Sequence, residues 1–372
     1  MALPSAHFAQ KDLPTRQSDS YDSSYPRMRM STTLKSGDAT RLSTLQRVAD
    51  RSLVWPFKVW GFGEGIALRG LRAAHSVTNH SKYHGFVSAM LRSYVVRGVA
   101  QGNEEHIAPG TELLQLYEEG GEPELLEAAK KLAALNASFP LNTFGARMHR
   151  PDLPGWRKQI WVDSMDVDAP FLLRLGRITN DESYVDQGLN EILGYARALQ
   201  VESNTETDGL FWHGYEEDCG TNGQLWARGN GWAVMGLVET LKFLHDSHPA
   251  RKELRERLDR LIHALRRHQD KSGLWHTVVT HPETYLESTL AVMTAFSLHE
   301  AFTAGLTDPK AFGKMERDAR SAAIRCIKDD GGLDLVSDAT PIGELKMYAT
   351  RPFDVFPWGQ GPVMLMLAQN TL

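Results

Sequence analysis

Six times along this chain, a helix with one charged face is followed by a segment that is apolar on nearly all sides. In the stretch that starts at Arg255, for example, Leu258, Leu261 and Leu265 share one face and Arg and His side chains lie opposite. The apolar segments are rich in Gly and Ala, which predicts helices buried on most sides. Amphipathic helices are predicted over 40–53, 79–100, 122–137, 181–199, 250–270 and 309–326, and buried helices over 62–74, 109–117, 168–178, 230–241, 285–302 and 358–368.

This alternation decides between two interpretations of the chain length. A chain of 372 residues is long for a single core, so it implies two or three domains or one large repetitive fold. The buried segments recur at irregular intervals, which argues against a solenoid with a fixed period. Six inner and six outer helices can close into an all-α (α/α)6 barrel. We therefore expect one domain over 39–372, after a disordered leader over 1–38 that is rich in Ser, Asp and Pro.

The composition excludes several classes of partner. With 41 Lys and Arg against 46 Asp and Glu, the net charge of -5 does not indicate a nucleic-acid-binding protein. No segment approaches the roughly 18 consecutive apolar residues of a membrane span. The chain has only two cysteines and no apolar signal-like segment, so we expect a cytoplasmic protein. We also expect a monomer or a weak homo-oligomer.

Most of the tryptophans fall in loops before the buried segments or on their first turns. Flat rings in such places can stack on sugar faces, while polar groups at the rim bind hydroxyls. Alternatively, these rings close the end of a barrel. The seven tryptophans concerned are Trp60, Trp161, Trp212, Trp226, Trp232, Trp275 and Trp358.

The stretch WVDSMDVDAP (161–170) offers the best candidate for an acid catalyst. Asp163 follows Trp and Val and precedes a predicted helix. Desolvation by such neighbours favours the protonated carboxyl, and a second carboxylate at Asp166 would add to this effect. The alternative is that Asp163 or Asp168 caps the helix, which favours the ionised form.

Two further stretches carry candidate binding residues. In WARGNGW (226–232), glycines allow close approach to a ligand, and Arg228 near a helix N-terminus could grip a carboxylate or phosphate. In FWHGY (211–215), His213 is a second candidate. A structural ion pair for Arg228 and a core position for His213 are the alternatives. The chain has no dinucleotide or phosphate-loop motif and no metal-ligand spacing, so we expect no cofactor and no metal.

Taken together, these segments resemble glycoside hydrolase family 105 and its relative family 88, the unsaturated rhamnogalacturonyl and glucuronyl hydrolases. The resemblance covers about residues 45–370. It also implies an (α/α)6 barrel. The motifs that carry it are WPFKVWGFGEG (55–65), HIAPG (106–110), WVDSM with APFLLRLGRIT (161–179), GLFWHGY (209–215), WARGNGWAVMGLVE (226–239), GLWHTVV with YLESTLAVM (273–293) and WGQGP (358–362).

The resemblance implies hydration of a double bond rather than attack at the anomeric carbon. The substrate would be a lyase-generated rhamnogalacturonan oligosaccharide ending in a Δ4,5-unsaturated galacturonyl residue. Asp163 would protonate C4 and then act as base for the water that adds at C5. The residues that would bind the unsaturated sugar are His213, Arg228 at the uronate, Trp232 by stacking and, less firmly, His149 and Glu105.

Three departures from the family pattern bear on substrate identity. Glu105 stands where many members have Asp, and Asp166 and Asp168 replace apolar residues. Three alternatives stay open: an unsaturated glucuronyl hydrolase acting on other lyase products, an inverting glycosidase, and a sugar-binding protein without turnover. The second needs another carboxylate about 6.5–9.5 Å from Asp163. Its candidates are Glu105, Asp166 and Glu287.

Overall fold

The computed structural model describes residues 36–57, 62–97 and 108–370. Twelve of its helices alternate between an outer and an inner ring, and a short helix, α12 (Leu345–Ala349), lies in the connection before the last inner helix. The outer helices are α1 (Ser36–Ser52), α3 (Ser81–Arg97), α5 (Pro123–Ser138), α7 (Glu182–Leu199), α9 (Ala250–His268) and α11 (Pro309–Arg325). The inner helices are α2 (Phe62–Thr78), α4 (Gly110–Gly120), α6 (Ser164–Thr179), α8 (Ala227–Phe243), α10 (Thr289–Thr303) and α13 (Pro357–Ala368).

The inner helices close into a ring. Each contacts the next inner helix along the chain, and α13 returns to pack against α2. Each outer helix packs on an inner neighbour, and α1 packs on both α13 and α2, across the point of closure. The predicted all-α (α/α)6 barrel is confirmed. No helix within the described ranges is long and apolar enough to cross a bilayer.

Glycines on the inner helices allow the close approach that this ring requires. A Cβ added at Gly236 of α8 would lie 2.1 Å from the backbone oxygen of Met165 on α6. At Gly361 of α13, a Cβ would lie 2.4 Å from the backbone oxygen of Ile66 on α2. Real Cβ atoms do not approach backbone oxygen so closely, so these two positions exclude any side chain.

Short strands precede three of the inner helices, α6, α8 and α10. The strands β1 (Gln159–Trp161), β2 (Gly214–Glu216) and β3 (Gly220–Thr221) form an antiparallel sheet in that order, and β4 (Trp275–His276) pairs with β5 (Leu286–Glu287). The helix predicted from 285 begins at Thr289 instead, because β5 pairs with β4.

Most of the predicted leader over 1–38 falls outside the described ranges, and its residues 36–38 belong to helix α1. Residues 1–35, Glu105 and Trp60 lie outside these ranges. Helix α1 begins at Ser36, three residues before the predicted start of the domain. The division into a leader and a single catalytic domain stays a prediction.

Candidate active site

Strand pairing brings Asp163 and His213 together. Trp161 on β1 lies opposite Gly214 on β2, and the Val162 N–H donates to the His213 carbonyl at 2.9 Å. Asp163 lies two residues after β1 at the N-cap of α6, and its side chain makes no capping hydrogen bond. Instead its Oδ2 lies 3.5 Å from Nε2 of His213, and 15% of its side chain is exposed. The capping role considered for Asp163 is therefore not what this side chain does.

His213 is fully buried in contact with the candidate acid. Burial lowers the pKa of His213, the contact with Asp163 opposes this shift, and the charge of Arg228 adds to it. The ring is therefore neutral near neutral pH. Its other nitrogen, Nδ1, lies 2.5 Å from the phenol oxygen of Tyr348 on α12. No motif in the sequence around Tyr348 points to this contact.

Aromatic rings surround the two residues. His149 stacks on Trp161, with ring centroids 4.1 Å apart and an interplanar angle of 12°. Trp156 packs at an angle against Trp161, and Trp226 lies 4.3 Å from the His213 ring, centroid to centroid. Two contacts thus hold His149 beside the site. Its ring stacks on Trp161, and its backbone N–H donates to the carbonyl of Gln159 on β1. Such rings suit the apolar faces of a sugar.

Arg228 occupies the first turn of α8 and is held in a buried ion pair. Its Nη1 lies 2.7 Å from Glu287 Oε1 and also donates to the carbonyl and hydroxyl oxygens of Ser337. Its Nη2 donates to the Asp338 carbonyl at 2.9 Å and to the Thr340 hydroxyl at 3.2 Å.

Burial lowers the pKa of Arg228, and Glu287 opposes this shift. The guanidinium also lies over the Trp226 ring, 4.4 Å from its centroid. The ion pair that the sequence left open as an alternative is present, and both terminal nitrogens are engaged. A substrate carboxylate would have to share or displace these acceptors, so the anion-binding role of Arg228 stays a prediction.

The remaining predicted binding residues are less favourably placed. Trp232 lies on α8 with none of its surface exposed, within the hydrophobic core. Its stacking on a sugar stays a prediction, and Trp161 and Trp226 are the rings that lie beside the Asp163 and His213 pair. Glu105 lies outside the described residues.

The carboxylates that follow Asp163 on α6 are both buried. Asp166 Oδ2 lies 2.5 Å from Nη2 of Arg69, and Glu112 Oε1 lies 3.8 Å from Nε of the same arginine. These three side chains line a small cavity between the first turns of α4 and α6 and the middle of α2. Asp168 is fully buried and accepts a hydrogen bond from the Tyr195 hydroxyl at 3.1 Å. Neither residue contributes to the Asp163 and His213 contact.

Metal ligation finds no support in the described ranges. Among these residues, no three His, Cys, Asp or Glu side chains are arranged to hold an ion. Cys219 is exposed and Cys326 is partly buried, and neither forms a disulfide.

A helical toroid with one accessible carboxyl among aromatic rings is the kind of site that a glycoside hydrolase carries. The comparisons with known proteins agree. Residues 40–371 match the family described as Glycosyl Hydrolase Family 88. The chain belongs to this family and is a glycosidase, as the resemblance implied.

Named relatives lie within the same group. The chain is 26% identical over 333 residues to the unsaturated rhamnogalacturonyl hydrolase YesR of Bacillus subtilis, covering 88% of this chain and 93% of the relative. A possible member of the GH105 family from Salmonella enterica superposes with a TM-score of 0.81 at 22% identity, over 92% of this chain and 96% of the other. The unsaturated glucuronyl hydrolase of Bacillus sp. GL1 superposes with a TM-score of 0.71 at 16% identity, over 89% and 96%.

Proposed function

We propose that this protein removes a Δ4,5-unsaturated galacturonyl residue from the end of lyase-generated rhamnogalacturonan oligosaccharides, with Asp163 as both acid and base. The observation that carries this proposal is that Asp163 differs from the other candidate carboxylates in its exposure and in the charge of its partner. Asp163 is partly exposed and faces a neutral imidazole, whereas Asp166 and Glu287 face arginines in buried ion pairs. A group that must give and then take a proton needs access to substrate and no permanent counter-ion.

The proposed reaction needs a single carboxyl. Asp163 gives its proton to C4, and the electron pair of the double bond forms the new C–H bond, leaving an oxocarbenium ion at C5. Water adds at C5 and gives a proton to the carboxylate, which restores the acid. The resulting hemiketal opens between C5 and the ring oxygen. The hemiacetal left at C1 then releases the neighbouring sugar.

The described side chains supply three further functions for this reaction. We propose that His213 donates a hydrogen bond from Nε2 toward the Asp163 carboxylate, which favours its ionised form during water attack. Trp161, which is 7% exposed, provides an apolar ring surface for the sugar, while the buried Trp226 packs against His213. Arg228 holds the segment 337–340 through its hydrogen bonds to that segment.

The choice of the galacturonyl substrate follows the relative from Bacillus subtilis, whose name specifies an unsaturated rhamnogalacturonyl hydrolase. The structural neighbour that is an unsaturated glucuronyl hydrolase keeps a glucuronyl substrate as the alternative. An inverting glycosidase has less support. Of the candidates for the second carboxylate, Asp166 and Glu287 form buried ion pairs with arginines, and Glu105 lies outside the described residues. A cytoplasmic location and a monomeric or weakly oligomeric state stay predictions.

A substrate screen tests the proposal. The conjugated unsaturated uronate absorbs in the ultraviolet, and hydration removes this absorbance. We expect the fastest loss with rhamnogalacturonan digested by a lyase and slower loss with lyase products that end in unsaturated glucuronate. Reaction in heavy-oxygen water should place the label at C5 of the released sugar. Cleavage of saturated oligosaccharides, with label at C1, would instead establish an inverting glycosidase.

A further inference from the structure

Tyr348 makes a buried contact with His213 for which the proposed reaction has no use so far. The residue lies on α12, in the segment between Ser337 and Phe353, and its side chain is fully buried. We propose that Tyr348 is a positioning residue that fixes the tautomer of His213, so that the ring presents its Nε2–H to Asp163. This inference rests on the proposed role of Asp163 as acid and base.

The orientation of the Asn222 amide is set by its neighbours. The backbone N–H of Gly214 donates to Asn222 Oδ1 at 3.2 Å, so the oxygen of the amide faces Gly214. The nitrogen Nδ2 then faces the other way, 3.0 Å from the phenol oxygen of Tyr348 and 3.3 Å from the carbonyl oxygen of Gly343. An amide nitrogen can only donate. The Tyr348 oxygen is therefore an acceptor in its contact with Asn222.

The position of the phenol hydrogen follows. A phenol has one hydrogen, and the contact with Asn222 does not use it. Within hydrogen-bond distance of the same oxygen lies Nδ1 of His213, at 2.5 Å. The hydrogen is therefore donated to Nδ1, which must carry a lone pair and no proton. A neutral imidazole then has its single proton on Nε2, the nitrogen 3.5 Å from Asp163 Oδ2.

The hydrogen bonds thus run in one direction, from the Gly214 backbone through Asn222 and Tyr348 to Nδ1 of His213, and they leave the imidazole proton on Nε2, which lies 3.5 Å from Asp163 Oδ2. In the opposite tautomer, the Nε2 lone pair would face the carboxyl. It would repel the ionised form and compete with C4 of the substrate for the proton of the acid form. The direction of these hydrogen bonds therefore supports both halves of the proposed reaction.

The segment that carries Tyr348 is itself held in place. Its base is closed by pairing of Ser337 with Phe353, and Arg228 donates to the carbonyl oxygens of Ser337 and Asp338. The Tyr285 hydroxyl donates to the Tyr348 carbonyl at 2.8 Å. These anchors keep the phenol at a fixed distance from the imidazole, as a tautomer-setting contact requires.

Nitrogen NMR of the free full-length protein tests the inference directly. Histidine labelled with nitrogen-15 distinguishes a protonated ring nitrogen from one with a lone pair, and a His213→Gln spectrum identifies the His213 signals. We expect Nε2 to be protonated and Nδ1 to be unprotonated. A protonated Nδ1 or a mixture of tautomers in the wild-type protein would overturn the proposal. Because no substrate is present, this result does not depend on whether the proposed activity is found.

Paired variants separate the tautomer effect from loop anchoring. Tyr348→Phe should give a mixture of tautomers and lower kcat about tenfold, with KM changed less than about twofold. Tyr285→Phe also removes a hydroxyl that anchors this segment, but it does not touch His213 and should keep the wild-type tautomer. If Tyr348→Phe retained pure Nε2–H, the phenol would not set the tautomer.

A second variant keeps the test decisive should Tyr348→Phe fail to fold. Asn222→Asp keeps both rings and replaces the donor with an acceptor, which should take the phenol hydrogen. The direction of the hydrogen bonds between position 222 and His213 then reverses, and the imidazole proton should move from Nε2 to Nδ1 of His213. An unchanged Nε2–H spectrum in this variant would contradict the proposal.

Discussion

Asp163 and Asp166 stand three residues apart at the start of the same helix, yet their surroundings differ in kind. Asp163 is 15% exposed and meets a neutral histidine. Asp166 is 4% exposed and meets the guanidinium of Arg69 at 2.5 Å. Burial raises the pKa of Asp166 and Arg69 opposes this shift. The same side chain is thus available for proton exchange in one place and fixed in an ion pair in the other.

The difference shows what selects a catalytic carboxyl in this barrel. Both residues belong to the stretch that the sequence singled out, and α6 brings both near the same end of the ring. Accessibility and the charge of the partner distinguish them, and neither property can be read from residue type. The account therefore predicts losses of stability from the Arg69 cluster and losses of turnover from the contacts around Asp163.

Removal of the arginine should have the largest effect on stability. Arg69→Met leaves the buried Asp166 and Glu112 without a counter-ion, which should lower the free energy of unfolding by about 3–5 kcal/mol. Denaturant unfolding followed by tryptophan fluorescence measures this change. Arg72→Met on the same helix is the matched control, because its partner Glu119 is 34% exposed and the expected cost is below about 1 kcal/mol. Equal losses in the free energy of unfolding would show that the buried cluster around Arg69 contributes no more to stability than the partly exposed pair of Arg72 and Glu119.

A substitution that displaces the segment between Ser337 and Phe353, which carries Tyr348, should reduce turnover with little effect on the stability of the barrel. A Cβ at Gly214 would lie 1.8 Å from Cδ1 of Ile342, in the segment that carries Tyr348. Gly214→Ala should displace that segment and lower kcat/KM about tenfold, or about 1.4 kcal/mol. The double variant with Ile342→Ala should recover much of this loss. Gly85→Ala, which meets no atom within 4 Å, is the control. Failure of the double variant to recover activity would show that the clash is not the cause.

The smallest expected effect is a pH dependence of stability from Glu112. Burial raises the pKa of Glu112 above its usual 4.5, with Arg69 opposing the shift. A raised folded-state pKa contributes stability that is fully present below the unfolded value and lost as pH rises through the folded value. Glu112→Gln lacks this dependence. The melting temperature of the variant minus that of the wild type should therefore rise as pH increases from 4 toward about 7. A difference that is constant or falls with pH would contradict the shift.

Much of the fold could be predicted from the sequence, because helical periodicity and the contrast between amphipathic and apolar segments report burial directly. The outer helix predicted over 250–270 is found as Ala250–His268, and the one predicted over 309–326 is found as Pro309–Arg325. The start of α10 was predicted four residues too early, since the pairing of Leu286 and Glu287 with β4 is a long-range contact that local patterns do not encode.

The candidate site could be predicted only in part. The motifs indicated Asp163 and His213 separately, but their contact depends on the register of β1 and β2. Tyr348 and Asn222 could not be found, because Asn222 lies in a loop and Tyr348 on a five-residue helix that is too short to show a periodicity. For Arg228, residue type indicated an anion grip and an ion pair equally, and only the position of Glu287 shows that the ion pair forms.

Turnover of Asp163→Asn beside Asp166→Asn tests the central claim most directly. Both variants replace a carboxyl with an amide of nearly the same size at the start of α6. With lyase-digested rhamnogalacturonan, Asp163→Asn should lose at least about a hundredfold in kcat while keeping the wild-type melting temperature, because it removes the general acid. Asp166→Asn should retain turnover and lose stability. Near-normal turnover of Asp163→Asn, or a comparable loss of kcat in a well-folded Asp166→Asn, would contradict the assignment of acid and base to Asp163 alone.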